Sequence, residues 1–164
     1  MGQYYLIANI DKKEYIHPHK FDDGMKLMEF GQSCSGTLTG LTILLADGNG
    51  RGGGDIDSDD PIIGSWAGDR IVITGDYADP RKFLTGQEIK DYQDKYKDKY
   101  KEEDRQKYME DNTNLFSIVD TFYTDISDKV VKVLIDADEF PQERIDGIKS
   151  KNEFMGRENP EYIN

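Results

Sequence analysis

The alternation of apolar and polar residues predicts a strand hairpin near the beginning of the chain. Residues 3–10, QYYLIANI, are rich in strand-forming residues and apolar on both alternating faces, which favours a strand buried on both sides of a sheet. Polar residues 11–13 predict a turn, and residues 14–17 return as the second strand. Pro18 ends the pairing because it has no backbone N–H to donate.

Further along the chain, the apolar pattern predicts a helix over residues 35–46, packed against the sheet and ended by Asp47 and Gly48. Residues 62–66 and 70–74 then predict two strands joined by a tight turn at residues 67–69. A further strand is expected at residues 115–121, and a shorter helix with a buried valine and leucine face at about residues 126–136.

A long charged helix is predicted at about residues 86–111. The sequence from Thr85 to Glu88 is a capping box, in which the threonine oxygen accepts a hydrogen bond from the third helical amide. Tyr92, Tyr96 and Tyr100 form a narrow stripe at helical spacing. The stripe indicates either a packing seam or an interface, including a homo-oligomer formed through this helix.

These elements predict one α+β domain over residues 1–140, with a polar C-terminal tail at residues 141–164 that we expect to be partly disordered. The predicted architecture is a mainly antiparallel sheet of about five strands with one packed helix, the long charged helix and the shorter C-terminal helix. A chain of 164 residues suits one ordinary domain.

Charge and cysteine content narrow the function classes. The formal net charge of −12 opposes non-specific nucleic-acid binding. It is compatible with a basic protein partner, a bound metal ion or an acidic surface that imitates a nucleic-acid backbone. Cys34 is the only cysteine, so no intramolecular disulfide can form and a reducing compartment is expected. With no apparent signal peptide and no apolar run of membrane-spanning length, we expect a soluble cytoplasmic protein that binds no membrane.

The segment GNGRGGGDIDSDDP, residues 48–61, is the first candidate for chemistry. Calcium-loop registers beginning at Asp47 or Asp55 lack required ligands, and no Lys-Ser or Lys-Thr follows the glycines as a P-loop requires. Three alternatives remain. Backbone amides of Gly52, Gly53 and Gly54 with Arg51 form an anion site, Asp55 and Asp57 bind a divalent cation, or the loop is solvated and flexible.

The second candidate is His17-Pro18-His19, which contains the only histidines. They are candidates for metal binding or proton transfer near neutral pH, with surface positions at a hairpin end as the alternative. We predict one pocket lined by residues 51–55, 66–70 and 76, with the histidines near its rim. The side chains that we expect to bind an anionic ligand in this pocket are Arg51, Trp66, Arg70, Asp76, His17 and His19.

Several motifs taken together resemble a known group of proteins. They are MGQYY at the start, the HPH of residues 17–19, RGGGD at 51–55, WAGDR at 66–70 and GDY at 75–77. Over about residues 1–80 the chain resembles a widespread group of short, uncharacterised bacterial, archaeal and phage proteins. The resemblance implies a small prokaryotic or phage accessory protein and implies no activity.

No complete catalytic constellation is visible in the sequence, and no cofactor beyond a possible divalent cation is expected. The sequence therefore favours a non-enzymatic binding or inhibitory module that engages a protein partner or a small anionic ligand such as a nucleotide. The alternative is a metal-dependent phosphoester hydrolase, in which His17, His19, Asp55, Asp57 and Asp76 bind the metal and activate water.

Overall fold

Four strands form one sheet in the part of the chain that the computed structural model describes, residues 2–99 and 114–163. They are β1 (Tyr5–Asn9), β2 (Glu14–Ile16), β3 (Ile71–Gly75) and β4 (Thr124–Asp125), in the order β3-β1-β2-β4. β1 pairs antiparallel with β2 and β3, and β4 adds to β2 in parallel. The predicted hairpin is confirmed, but the prediction of five strands is wrong.

Six α-helices accompany the sheet within the described residues. They are α1 (Leu27–Phe30), α2 (Thr37–Leu45), α3 (Gly86–Lys99), α4 (Leu115–Phe122), α5 (Ser127–Asp136) and α6 (Gln142–Phe154). Short 3₁₀ helices lie at Pro18–Phe21, Pro80–Lys82 and Glu161–Ile163. The α+β class and the helices predicted at 35–46 and 126–136 are confirmed. Residues 100–111 of the predicted long helix lie outside the described residues.

The two faces of the sheet are covered by different helices. Because side chains alternate along a strand, Ile7 packs in a cluster with α2 and α5, whereas Leu6 and Ala8 pack in a second cluster with α3 and α4. All three side chains are at most 1% exposed. The prediction that this strand is buried on both faces is therefore confirmed.

Residues 62–66 form turns, so the strand predicted there is wrong. The amides of Gly64 and Trp66 donate to the carbonyl oxygens of Ile43 and Leu44 at 2.8 and 2.9 Å. These carbonyls lie in the last turn of α2, where they lack partners within the helix. Gly64 has a φ of +75°, and a Cβ there would lie 2.6 Å from the Ala46 carbonyl oxygen. The segment therefore caps a helix instead of joining the sheet.

The strand predicted at residues 115–121 is also wrong, because this segment is helix α4. Asn114 caps its N-terminus, and its Oδ1 accepts a hydrogen bond of 2.8 Å from the Ser117 amide. Leu115, Ile118 and Val119 are buried at helical spacing. The β-branched residues suggested a strand, but the cap and the spacing of the apolar residues determine a helix.

The expectation of partial disorder in the C-terminal tail is wrong for residues 142–154, which form α6. Pro141 precedes the first turn, and Ile145 and Ile148 pack against the cluster on the α5 side of the sheet. The helix is polar elsewhere, which is why its sequence resembles a solvated tail. Within the described ranges, no helix is both long and apolar enough to cross a lipid bilayer.

Candidate functional site

The turn after β2 carries both histidines in a fixed arrangement. His17 caps the 3₁₀ helix Pro18–Phe21, and its Nδ1 accepts a hydrogen bond of 3.2 Å from the His19 amide. The His17 amide donates to Ser127 Oγ at 2.7 Å, which fixes the turn to the start of α5. The two imidazole centroids are 5.1 Å apart. We call residues 17–20 the histidine turn.

Two aspartates join the histidine turn to α2 and α6. Asp22 adopts a left-handed conformation with a φ of 62°, and Lys151 pairs with its carboxylate at 2.6 Å. The Asp23 carboxylate is buried and accepts from the Thr37 amide and hydroxyl at 2.8 and 2.6 Å. Arg144 donates to its other oxygen at 2.7 Å. These contacts place α6 beside the histidines.

The histidine turn, α6 and the segment after α6 enclose a cavity of about 550 Å³, which we call the histidine cavity. Lys20, Lys151 and Arg157 contribute cationic groups, and Asp23, Asp128 and Glu158 contribute carboxylates. Ile148, Met155, Pro160 and Tyr162 contribute apolar surface. The cavity therefore combines polar groups with an apolar wall, as sites for small molecules commonly do.

The surroundings of the two histidines lower the pKa of both imidazoles, and the His17 imidazole is neutral at physiological pH. Desolvation is the main reason that the pKa of His17 falls to about 4, and the nearby His19 and Lys20 lower it further. The pKa of His19 is also lowered by burial and by the Lys151 and Arg157 charges. Because His17 Nδ1 accepts a hydrogen bond, the proton of the neutral ring is assigned to Nε2, which makes Nε2–H a donor.

The glycine loop binds a carboxylate of its own chain. The amides of Gly50 and Arg51 donate to Asp55 Oδ2 at 3.0 and 2.7 Å. Asn49 closes the loop, since its side-chain amide exchanges hydrogen bonds with the backbone of Ile56. Two backbone amides of the loop thus converge on a carboxylate, but these are the amides of residues 50 and 51, and the carboxylate is Asp55 of the same chain. Binding of an anionic ligand by residues 51–54 stays a prediction. Arg51 and Gly52, Gly53 and Gly54 are exposed.

Residues 66–70 connect the first hairpin to β3. The fully buried Trp66 donates from Nε1 to Glu14 Oε1 at 3.0 Å. Asp69 accepts from Asn9 at 2.8 Å and pairs with Lys12. Arg70 pairs with Asp11 at 2.8 Å, and its guanidinium also donates to the Phe83 carbonyl oxygen at 3.4 Å. The geometry gives this motif a structural role.

The histidine cavity is not formed with the glycine loop. Arg51, Trp66, Arg70 and Asp76 do not line it, whereas His17 and His19 do. Asp76 directly follows β3, which is an edge strand of the sheet, and its amide donates to the Tyr4 carbonyl oxygen at 3.0 Å. The histidines therefore line a cavity together with residues of α6 instead of lying at the rim of a glycine-loop pocket. Ligand binding by Arg51, Trp66, Arg70 and Asp76 stays a prediction.

The proposed metal ligands Asp55 and Asp57 are exposed. Across residues 2–99 and 114–163, no group of three or more His, Cys, Asp or Glu side chains is arranged to hold a metal ion. Cys34 is exposed. A divalent-cation site stays a prediction.

Tyr92 and Tyr96 pack inside the chain, which corrects their assignment to an interface. Both rings are buried and lie 5.2 and 4.8 Å from the ring centroid of Phe122 on α4. The Tyr96 hydroxyl donates to the Ser117 carbonyl oxygen at 2.7 Å. Of the two alternatives, the packing seam agrees with this arrangement. Tyr100 lies outside the described residues.

Sequence reasoning missed the residues that complete the histidine cavity, which are Asp128, Lys151, Arg157 and Tyr162. Three of them belong to the segment interpreted as a polar tail. The spacing of Ile145 and Ile148 behind Pro141 was the available signal for an amphipathic helix there. Comparisons with protein-family models, with curated proteins and with solved structures gave no match to this chain, and the resemblance described above stays a prediction.

Proposed function

We propose that the protein is a non-enzymatic binding module that takes up a small anionic ligand, such as a nucleotide, in the histidine cavity. One observation carries the proposal: the Arg157 guanidinium at the cavity has no hydrogen-bond or ion-pair partner among the described residues, whereas two of the cavity's three carboxylates already accept hydrogen bonds from the chain. A cavity with that imbalance favours a ligand that supplies acceptors and negative charge.

Three cationic side chains supply the donors. Arg157 is exposed and makes no hydrogen bond or ion pair through its side chain with another described residue. Lys20 lies 3.9 Å from Asp128, and Lys151 keeps two N–H groups after its bond to Asp22. His17 adds a neutral Nε2–H donor. An arginine with a planar fork of donors suits phosphate or carboxylate groups.

The carboxylates are largely satisfied within the chain. Asp23 accepts three hydrogen bonds, from the Thr37 amide, the Thr37 hydroxyl and Arg144. Asp128 Oδ1 accepts from the Tyr162 hydroxyl at 2.7 Å. Glu158, the remaining acid, is exposed to water. A metal site needs several carboxylates that are free to bind the ion. The histidine cavity therefore suits an anion better than a metal ion.

The size and the apolar wall support a ligand with a body as well as a charge. A volume of about 550 Å³ lies within the range of roughly 300–1,000 Å³ that is usual for small-molecule sites. Ile148, Met155 and Pro160 give the body an apolar surface to contact. A nucleotide combines an anionic phosphate with a flat ring and suits both parts of the cavity.

Calorimetry and thermal unfolding test this proposal with adenosine monophosphate, inorganic phosphate and uncharged adenosine as probes. We expect the monophosphate to bind and raise the melting temperature, and adenosine to do neither. Arg157→Gln should weaken binding by about 10- to 100-fold, the range for a charge-assisted hydrogen bond. Lys132→Met is the matched control, because it also removes one positive charge. Lys132 pairs with Asp136 on the exposed side of α5 and does not line the cavity.

Two results separate this proposal from the alternatives. Equal binding by the Arg157→Gln variant and the wild type would contradict an anion site in this cavity. A rise in melting temperature with magnesium, calcium, manganese or zinc that a chelator reverses would instead support the metal-dependent phosphoester hydrolase. The hydrolase stays a prediction, as does a basic protein partner.

A further inference from the structure

The segment after α6 folds back and forms one wall of the histidine cavity. Gly156 has a φ of +66° and ends the helix, where the Arg157 amide donates to the Asn152 carbonyl oxygen at 2.8 Å. Arg157, Glu158, Pro160 and Tyr162 then line the cavity. We call residues 157–163 the strap.

Few hydrogen bonds hold the strap in this position, although the Tyr162 ring also packs against the hydrophobic cluster on the α5 side of the sheet. Asn152 Nδ2 donates to Asn159 Oδ1 at 3.0 Å near its beginning, and Ile163 is buried at its end. Between these points the Tyr162 hydroxyl donates to Asp128 Oδ1 at 2.7 Å. Asp128 lies in the first turn of α5, so this single hydrogen bond joins the strap to the opposite wall of the cavity.

We propose that the strap is a gate for ligand entry and that the Tyr162–Asp128 hydrogen bond is its latch. Both partners line the cavity, so opening the latch separates two of its walls. The gate rests on the proposed function, since it controls access to that same site. Opening needs no unfolding of α6, because the left-handed residue Gly156 separates the helix from the strap.

The protonation state of the latch favours its closure at physiological pH. Burial raises the pKa of the Tyr162 hydroxyl, and the hydrogen bond to Asp128 raises it further. The hydroxyl therefore keeps its proton and can donate. Lys20, at 3.9 Å from Asp128 Oδ2, adds positive charge on the side of the carboxylate that faces the histidine turn.

Hydrogen exchange of the ligand-free protein tests the latch first. We expect Tyr162→Phe to speed exchange of the strap amides, including that of Ile163, by about five-fold, the factor for loss of one ordinary hydrogen bond. Exchange within α6 should not change. Asp128→Ala should speed exchange of the strap amides by the same factor. The double variant should exchange no faster than either single variant, because both substitutions remove the same Tyr162–Asp128 hydrogen bond. Tyr77→Phe is the matched control, since Tyr77 is 72% exposed and lies elsewhere.

Stopped-flow binding of a methylanthraniloyl-labelled adenosine monophosphate then tests the gate. We expect Tyr162→Phe to raise the association and dissociation rates together, by the same factor of about five, with little change in affinity. Faster dissociation alone would overturn the gate, because it would make Tyr162 a ligand contact. Unchanged strap exchange in Tyr162→Phe would overturn the latch. If no anion binds the wild type, the proposed function fails, and the exchange result still decides the latch.

Discussion

Arg144 on α6 and Asp23 beside the histidine turn form the most buried ion pair among the described residues, with side chains 18% and 5% exposed. Arg144 Nη1 donates to Asp23 at 2.7 Å and to the Phe21 carbonyl oxygen at 3.0 Å. One guanidinium thus holds the 3₁₀ helix, the aspartate and α6 together. The pair connects residues separated by 121 positions in the chain.

Arg144→Ala should reduce the free energy of unfolding by about 2–4 kcal/mol, because it leaves a buried carboxylate without its charged partner. Urea denaturation measures the loss. Arg81→Ala is the control: Arg81 pairs with Asp79 at 2.7 Å, but its side chain is 81% exposed, so the change should leave the free energy of unfolding almost unchanged. Equal decreases in the free energy of unfolding for the two variants would show that the buried Arg144–Asp23 pair stabilises the fold no more than an exposed pair.

Gly147 lies on α6 directly against the carboxylate of Asp22. A Cβ at Gly147 would come within 2.4 Å of Asp22 Oδ2, so Gly147→Ala should lower the melting temperature although alanine is the better helix former. Gly86→Ala, at the start of α3, meets no atom within 4 Å and should leave stability unchanged or raise it. Differential scanning calorimetry compares the two. A stabilised Gly147→Ala variant would show that α6 does not pack closely on Asp22.

The hairpin and α2 could be predicted because their signals are local. Each apolar residue of β1 has a cluster on its own side of the sheet, and Pro18 marks the end of β2 within the sequence itself. The turns at 62–66 could not be predicted in this way. Their amides bind carbonyl groups of Ile43 and Leu44, a tertiary contact that overrides the β-branched residues.

The histidines were found from the sequence, but the rest of their cavity was not. Arg144 and Lys151 reach Asp23 and Asp22 across 121 and 129 positions, and no short-range pattern reports such pairs. α6 offers only Ile145 and Ile148 to the core, which is too narrow a stripe to distinguish a docked helix from a solvated tail. In a sequence, charged residues such as Arg144 and Lys151 cannot be distinguished from ordinary surface residues, although in the fold they join distant segments.

Asp55 is the internal anion of the glycine loop, and its removal tests whether that contact orders the loop. Asp55→Ala deprives the Gly50 and Arg51 amides of their acceptor, so their hydrogen exchange should rise by about five-fold or more. The melting temperature should change little because Gly50, Arg51 and Asp55 are exposed. Asp57→Ala, which removes an equal charge from an exposed position two residues away, is the control. Identical exchange in both variants would contradict an ordering role for Asp55.

His17 makes the stability of the protein depend on pH between about 6.5 and about 4. Its pKa is about 4 in the folded chain, mainly because of burial, and 6.5 is its ordinary value. As the pH falls through this window, the unfolded chain takes up a proton that the folded chain does not, so the free energy of unfolding decreases. The full difference corresponds to roughly 3 kcal/mol, and solvent screening in an open cavity reduces it to about 1–2 kcal/mol.

His17→Asn isolates this contribution, since the Asn side-chain oxygen can still accept from the His19 amide but does not titrate. Urea denaturation at pH 7 and pH 4.5 should show a smaller decrease for the variant than for the wild type, by about 1–2 kcal/mol. Aspartates and glutamates titrate in both proteins and cancel in the comparison. The same decrease in both would mean that His17 is protonated in the folded chain at pH 4.5, and that the histidine cavity does not hold its imidazole neutral.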